Sequence, residues 1–264
     1  MKAALMACLA LLFWGSAAAQ SVAQSSAQSS AQSSELTRAE AVNKAGRQRM
    51  LTQRIVKSYC QVGMEVDAAR ARAQLAEALV LFERQLAEVR PLAPRAGREL
   101  EELWPPFRAL AAGPVSRAGA ASLRASGARL LEAAERLTDE LERGGRDPVA
   151  RLVNLAGRQR MLSQRVAKAY MLDAWGIGNG AERDEIVAAA AEFGAALEQL
   201  RAAQQNTREL RVELAAVALQ WEWLAGAVAQ RGAAAYPLVV ADASEAILQR
   251  MERITRMYEA LGAR

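Results

Sequence analysis

The feature that most constrains this chain is an internal repeat of 18 residues. Residues 42–59 read VNKAGRQRMLTQRIVKSY and residues 153–170 read VNLAGRQRMLSQRVAKAY, with 13 identities at a constant offset of 111. Farther along the two copies the alignment becomes loose, and residues 128–141 are matched to residues 246–259. A repeat of this length indicates two copies of one structural unit. We therefore predict two domains, residues 35–145 and 146–264.

Each copy is predicted to contain four helices. Proline, glycine and capping residues divide it into segments of helical length, and no segment keeps the period-two alternation of a strand. The pair Pro105-Pro106 is expected to break or kink one of these helices. Short links between four helices predict an all-α fold, either two tandem antiparallel four-helix bundles or one fused eight-helix body. The predicted helices are residues 36–65, 68–90, 97–111 and 116–143 in the first copy, and 149–175, 181–204, 207–231 and 237–261 in the second.

The amino terminus has the pattern of a secretory signal peptide. Residues 1–19 combine an early lysine, an apolar run of roughly 12 residues and a final stretch of small residues that suits a signal peptidase site. Cleavage is therefore expected after Ala19. The run is short against the roughly 20 residues of a membrane span, and a lipoprotein site at Cys8 is the weaker alternative. The Ala-Gln-Ser-Ser repeats of residues 20–34 predict a disordered linker. We expect a periplasmic protein with no membrane span in the mature chain.

The composition excludes several common classes of catalytic site. The sequence has no histidine, which removes the Ser-His-Asp and Cys-His arrangements and the commonest zinc ligand. Cys60 would be the one cysteine of the mature chain, too few for a disulfide or a thiolate metal cluster. We expect no enzyme activity, no cofactor and no metal. The pI of about 9.6 suggests nucleic-acid binding, but export argues against that partner.

The basic charge is concentrated in the two repeated segments. Residues 43–59 and 154–170 hold nine Lys or Arg and no acid, whereas solvated helix faces usually carry acids at i+4 spacing. By helical phase, Arg47, Arg54 and Lys57 share one face, and Arg49 lies about 110° from the centre of that face. Arg49 and its counterpart Arg160 thus lie on an apolar flank, where an unpaired arginine is costly. The partner is either an anionic ligand or a carboxylate such as Glu132 or Glu135.

Other repeated residues are predicted to be structural. Gly46 and Gly157 weaken a helix by roughly 1 kcal/mol relative to alanine, which suggests that a helix or a ligand comes close to them. Methionine commonly fills irregular space in a core, and a buried free cysteine behaves as a small hydrophobe. The residues expected to pack in the core or between the copies are Met50, Met161, Cys60, Tyr59, Tyr170, Trp175, Trp221 and Trp223.

The segment Ala-Gly-Arg-Gln-Arg-Met-Leu-Ser-Gln-Arg resembles the PilJ-type domain, the amino-terminal sensor domain of type IV pilus chemoreceptors. That domain is related to the sensor domain of the NarX/NarQ nitrate kinases. The resemblance implies a four-helix bundle outside the cytoplasmic membrane. It also implies that the arginine of a Gly-x-x-Arg-Met element on the first helix binds nitrate. By position this arginine is Arg49 in the first copy and Arg160 in the second.

Two functions follow as hypotheses. The first is a non-enzymatic sensor-type protein that binds a small oxyanion, such as nitrate or nitrite, and reports to a membrane receptor or a sensor kinase. Arg49 and Arg160 would then face each other across a pseudo-twofold axis. The second is an interaction module that binds a receptor, kinase or pilus component through the basic face of Arg47, Arg54 and Lys57. The candidate ligand-binding residues are Arg49, Arg160, Gly46, Gly157, Arg47, Arg158, Arg54 and Arg165.

Overall fold

The computed structural model describes residues 36–143, 148–178, 180–229 and 236–262, and this part of the chain is helical without a strand. From Thr37 onward it forms one compact unit. The predicted all-α fold is confirmed, with each helix within three residues of its predicted bounds. In chain order the helices are α1 (Arg38–Gly63), α2 (Ala68–Val89), α3 (Pro94–Ala112), α4 (Arg117–Arg143), α5 (Pro148–Ala174), α6 (Ala181–Ala202), α7 (Arg208–Ala229) and α8 (Tyr236–Gly262).

The predictions for the amino terminus lie outside the described residues. These are the signal peptide of residues 1–19, cleavage after Ala19 and the linker of residues 20–34. Among the described helices, α7 is long and apolar enough to cross a membrane, with 22% of its apolar window buried in the structure. The absence of a membrane span from the mature chain therefore stays a prediction.

Local sequence explains where the first helices begin. The Thr37 hydroxyl accepts a hydrogen bond from the Glu40 backbone amide, and the Glu40 carboxylate accepts one from the Thr37 amide at 2.8 Å. This capping box satisfies backbone donors that the first turn of α1 leaves free. Asp67 caps α2 by accepting a hydrogen bond from the amide of Arg70. Pro94 opens α3, where its missing amide costs no helical hydrogen bond.

Helix α3 continues through Pro105 and Pro106, so the expected break does not occur. The two prolines remove amides that would bond to the carbonyls of Glu101 and Glu102. All four residues are exposed. Water can therefore satisfy the freed carbonyls, and Trp104 and Phe107 on the buried face keep the helix packed against the core.

The two copies have the same internal packing. In the first half α1 packs against α2 and α4, and α3 packs against α4. In the second half α5 packs against α6 and α8, and α7 packs against α8. The most extensive helix contact of the described structure joins the halves, between α1 and α5. We call this contact the seam.

Matching side-chain contacts fix the register between the copies. Thr138 donates to the carbonyl of Ala134 at 2.8 Å, and Thr255 donates to that of Met251 at 2.6 Å, an offset of 117. The loose sequence match of residues 128–141 with 246–259, an offset of 118, was therefore wrong by one residue. The stacked ring pair Phe82–Trp104 likewise recurs as Phe193–Trp221, with centroid separations of 3.9 and 3.8 Å.

Most of the residues predicted to be structural are buried. Met50, Met161, Tyr59 and Tyr170 are at most 9% exposed, and Trp175 packs over Gly63. Trp223 is 76% exposed, so its predicted packing role was wrong.

Cys60 is fully buried in the core. Burial raises the pKa of its thiol to about 12, which leaves it in the unreactive thiol form. This agrees with the inert role predicted for it.

Candidate functional site

Two arginines reach across the seam in a reciprocal arrangement. Arg49 on α1 donates from Nη2 to Oδ1 of Asn154 on α5 at 2.7 Å. Arg160 on α5 donates from Nη2 to Oδ1 of Asn43 on α1 at 2.6 Å. Both arginines are 0% exposed. The apolar flank predicted from helical phase is thus the seam itself.

Each of these arginines also pairs with a carboxylate of its own half. Arg49 Nη1 donates to Glu135 on α4 at 2.9 Å, and Arg160 Nη1 donates to Glu252 on α8 at 2.8 Å. Glu135 was among the alternatives drawn from the sequence, and Glu252 is its counterpart at the offset of 117. In this structure the anion facing each arginine is a carboxylate of the chain.

The repeated glycines make room for the guanidinium groups. A Cβ on Gly46 would lie 3.0 Å from Nη2 of Arg49. A Cβ on Gly157 would lie 3.0 Å from Nη2 of Arg160 and 3.8 Å from Nη2 of Arg49. Both guanidinium groups therefore approach the same point beside Gly157. This close approach explains why a helix-weakening residue occurs at both positions.

Electrostatics at the seam are set by burial and by neighbouring like charges. Burial lowers the pKa of Arg160, and the nearby charges of Arg47 and Arg49 act in the same direction against the attraction of Glu252. Burial alone would raise the pKa of Glu252, but Arg160 and Arg47 outweigh it and bring the pKa to about 2. Glu252 is therefore ionised at neutral pH and balances two arginines.

The asparagines of the repeat complete the network and were not singled out from the sequence. Asn43 donates to Glu259 at 2.8 Å, and Asn154 donates to the corresponding Glu142. Burial raises the pKa of Glu259 despite the hydrogen bond from Asn43. The signal was present, because both asparagines are identical in the two copies and lie three residues before the glycine.

Arg47 and Arg158 belong to the same clusters. Arg47 forms a bidentate pair with Glu252, with distances of 3.0 Å from Nε and 2.5 Å from Nη2. Arg158 pairs with Glu192 and lies 3.5 Å from Glu135. Helical phase had separated Arg47 from Arg49, but Glu252 of α8 brings Arg47 together with Arg160.

Arg54 and Lys57, farther along α1, are covered by α8. Arg54 donates to Glu245 from Nε at 3.2 Å and from Nη2 at 2.9 Å, and Lys57 donates to the same carboxylate at 2.6 Å. Arg54 is 9% exposed and Lys57 is 0% exposed. Burial lowers the pKa of Lys57 against the opposing effect of Glu245. The exposed basic face assumed for an interaction module is therefore wrong, since packing of the second half buries it.

Their counterparts on α5 have a different partner. Arg165 and Lys168 both donate to one carboxylate oxygen of Glu185 on α6, each at 2.7 Å. The structure thus divides the predicted residues into the seam clusters and two flanking clusters.

Within the described ranges, no group of three or more acidic or cysteine side chains is placed to hold a metal ion. Paired guanidinium groups can bind a planar oxyanion through two parallel hydrogen bonds.

Comparison with known proteins gives one family. The family model described as "Type IV pili methyl-accepting chemotaxis transducer N-term", PilJ, matches residues 19–102 and 145–261. The two matched segments cover most of the chain and contain one copy each of the repeat. No curated protein and no solved structure matches the chain.

Proposed function

The chain belongs to the PilJ family, the amino-terminal domain of type IV pili methyl-accepting chemotaxis transducers, and on this premise we propose a ligand for it. The protein is a non-enzymatic, exported sensor-type module that binds a small oxyanion, such as nitrate or nitrite, at the seam. Export is supported by the signal-peptide pattern of residues 1–19. The ligand is held by Arg49 and Arg160.

One observation carries this proposal: two fully buried guanidinium groups from different halves converge beside Gly157. Burial lowers the pKa of Arg160, and repulsion from the nearby charges of Arg47 and Arg49 lowers it further. An oxyanion between them would relieve this repulsion and accept hydrogen bonds from both. Glu135 and Glu252, which now pair with the arginines, would be its competitors.

Competition with internal carboxylates supplies a mechanism for a signal. The side chains of Glu135 and Glu252 are 27% and 17% exposed, so each can move toward solvent when an anion replaces it. Each belongs to the last helix of its half, α4 or α8. Anion binding would thereby release α4 and α8 from the seam, and a membrane receptor or sensor kinase would respond to that change.

The test is calorimetric titration of the protein with sodium nitrate, sodium nitrite and sodium sulfate. Nitrate has four heavy atoms, so the expected dissociation constant is no tighter than tens of micromolar, at about −1.5 kcal/mol per atom. The double variant Arg49→Gln/Arg160→Gln is expected to show no heat of nitrate binding. Arg201→Gln, at an exposed arginine paired with Glu198 three residues away, is the matched control and is expected to leave it unchanged.

A second pair of variants tests competition with the internal carboxylates, and circular dichroism checks that each variant is folded in the titration buffer. Glu135→Gln and Glu252→Gln remove the competing charges but keep amide groups of similar size. Each is expected to tighten nitrate binding about tenfold, the equivalent of about 1.4 kcal/mol. The proposal fails if neither the parent nor these variants take up nitrate, nitrite or sulfate at millimolar concentration.

A second candidate function, docking to a receptor or pilus component, is favoured by a different surface. Leu219 and Trp223 of α7 are 64% and 76% exposed, and Leu238 and Val239 of α8 are also exposed. Apolar surface of this kind often marks a protein contact. Trp223→Ser is expected to reduce recovery of the protein with a receptor complex purified from cell envelopes, without changing nitrate binding. Unchanged recovery would dismiss this candidate.

A further inference from the structure

A groove of about 790 Å³ lies between α1, α4 and α5, beside the seam. We call it the α4 groove. Arg124 of α4 and Arg165 and Lys168 of α5 line its basic part. Glu132 and Asp139, farther along α4, line its acidic part.

The other side of the molecule shows what these basic residues bind when the space is filled. There α8 packs beside α1, and Glu245 enters between Arg54 and Lys57, which are the repeat counterparts of Arg165 and Lys168. Both carboxylate oxygens of Glu245 accept hydrogen bonds. Despite its burial, the pKa of Glu245 is lowered by Lys57 and Arg54, so it is held as an anion.

The α4 groove lacks this internal carboxylate. At the offset of 117 the counterparts of Ser244 and Glu245 are Gly127 and Ala128, and both line the groove. Where α8 supplies a serine hydroxyl and a carboxylate, α4 thus supplies only a glycine and a methyl group. The groove occupies the space that a side chain like Glu245 would fill.

The charges around the groove are also less completely balanced than those on the α8 side, where Arg54 pairs with Glu77 as well as with Glu245. Arg165 and Lys168 share the single carboxylate of Glu185, and Arg124 pairs with Glu182. Burial lowers the pKa of Lys168, and the nearby positive charges of Arg165 and Arg124 lower it further against Glu185. Another anion at this position would stabilise the charged form of the lysine.

The wall formed by α1 offers an unused acceptor. Gln53 is 2% exposed and lines the groove. Within the described part of the chain its Oε1 has no hydrogen-bond partner. A buried amide oxygen without a partner is unfavourable, and a ligand with a hydroxyl or amine donor would satisfy it.

We propose that the α4 groove binds a small organic carboxylate. Its carboxylate group takes the place beside Arg165 and Lys168 that Glu245 takes beside Arg54 and Lys57, with Arg124 next to it. The remainder of the ligand extends along α4 toward the acidic part of the groove. The groove adjoins the seam, since Glu135 and Arg158 also line it, but the position beside Arg165 and Lys168 does not depend on oxyanion binding at the seam.

The test is calorimetric titration with 4-aminobutyrate, whose carboxylate suits the basic part of the groove and whose ammonium group suits the acidic part, using variants at Ala128. Ala128→Glu supplies the missing carboxylate from the chain itself and is expected to weaken 4-aminobutyrate binding at least about tenfold, or about 1.4 kcal/mol. It is also expected to raise the melting temperature, because the new carboxylate pairs with Arg165 and Lys168. Ala128→Gln has nearly the same size without the charge, and is expected to weaken binding less and to leave the melting temperature near that of the parent.

Two further variants separate this site from the seam. Arg165→Gln is expected to abolish 4-aminobutyrate binding, whereas Arg49→Gln is expected to abolish nitrate binding and leave 4-aminobutyrate binding intact. The proposal is overturned if the parent gives no heat of 4-aminobutyrate binding at millimolar concentration. It is also overturned if Ala128→Glu and Ala128→Gln weaken binding equally, or if Arg165→Gln binds 4-aminobutyrate as the parent does.

Discussion

Glu252 neutralises two arginines at once. It accepts two hydrogen bonds from Arg47 and one from Arg160, and Arg160 is fully buried. Removing one partner of a buried ion pair is far more damaging than the net value of the pair, because the remaining charge keeps its desolvation penalty. The stability of the seam therefore depends strongly on the ionisation of this one carboxylate.

Glu252→Gln is expected to lower the free energy of unfolding at pH 7 by about 3–5 kcal/mol, measured by urea denaturation. Because the pKa of Glu252 is lowered from 4.5 to about 2, its contribution is fully present above pH 4.5 and is lost as the pH falls toward 2. The difference between variant and parent should shrink over that interval. Glu198→Gln is the control, since Glu198 is 69% exposed and its pair with Arg201 contributes about 0–1 kcal/mol. A difference that stays constant down to pH 2.5 would contradict the assignment.

The burial of Arg49 and Arg160 could be predicted from sequence, but that of Arg54 could not, and only Glu135 of the partners was among the candidates. The 3.6-residue period placed Arg49 and Arg160 on an apolar flank, and the cost of burying a lone charge required an anion beside each. Glu135 and Glu252 lie 86 and 92 residues farther along the chain. Periodicity within α1 contains no information about which turn of α4 or α8 packs against it. The same limit explains the wrong expectation for Lys57, whose burial depends on α8.

At the scale of helices, glycines with different surroundings allow packing and helix propensity to be separated. Gly157 lies within α5, where an added Cβ would lie 3.0 Å from the guanidinium of Arg160. Arg160 cannot move freely, since Asn43 and Glu252 hold it. Gly194 lies within α6, and no atom lies within 4 Å of the position that its Cβ would take.

Gly194→Ala is expected to raise the free energy of unfolding by roughly 0.5–1 kcal/mol, the ordinary gain of alanine in a helix. Gly157→Ala gains the same propensity but crowds a packed seam, which typically costs roughly 1–3 kcal/mol, so a net loss is expected. Thermal and urea denaturation of the two variants measure the contrast. If both substitutions stabilise the protein equally, the guanidinium groups do not constrain these glycines.

The bounds predicted for the helices lie within three residues of those in the structure, because the signals that start and end a helix are local. The largest error is at α3, which begins at Pro94 and not at residue 97, because proline fits the first turn of a helix as well as it breaks one. The effect of Pro105 and Pro106 was misjudged because it depends on which side of α3 faces water. The one-residue error in aligning α4 with α8 was avoidable from the sequence. At the offset of 117, Glu135, Arg136 and Thr138 match Glu252, Arg253 and Thr255.

At the scale of the whole molecule, the repeat indicated two copies but left their association open. Both tandem bundles and one fused body were compatible with the pattern. The structure of the described residues is one unit in which α1 and α5 form the principal contact between the halves. Most of α1 is buried, including polar residues such as Asn43 and Lys57. A helix buried on nearly all sides needs neighbours from both halves.

The division into domains at residues 145 and 146 stays a prediction, and a half-length fragment tests it. In residues 36–143 alone, α1 would lose its cover from α5 and α8 and expose Arg49 and Lys57 without their present partners in the other half. Because Asn43 and Arg49 of the first copy match Asn154 and Arg160 of the second, two fragments can reproduce the reciprocal contacts of the seam. We expect the fragment to fold only as a dimer, with a melting temperature that rises with protein concentration. Analytical ultracentrifugation and circular dichroism measure this, with the intact chain as control. A folded monomeric fragment with a concentration-independent melting temperature would show instead that each copy is a self-sufficient domain, and that the seam adds contact without being needed for folding.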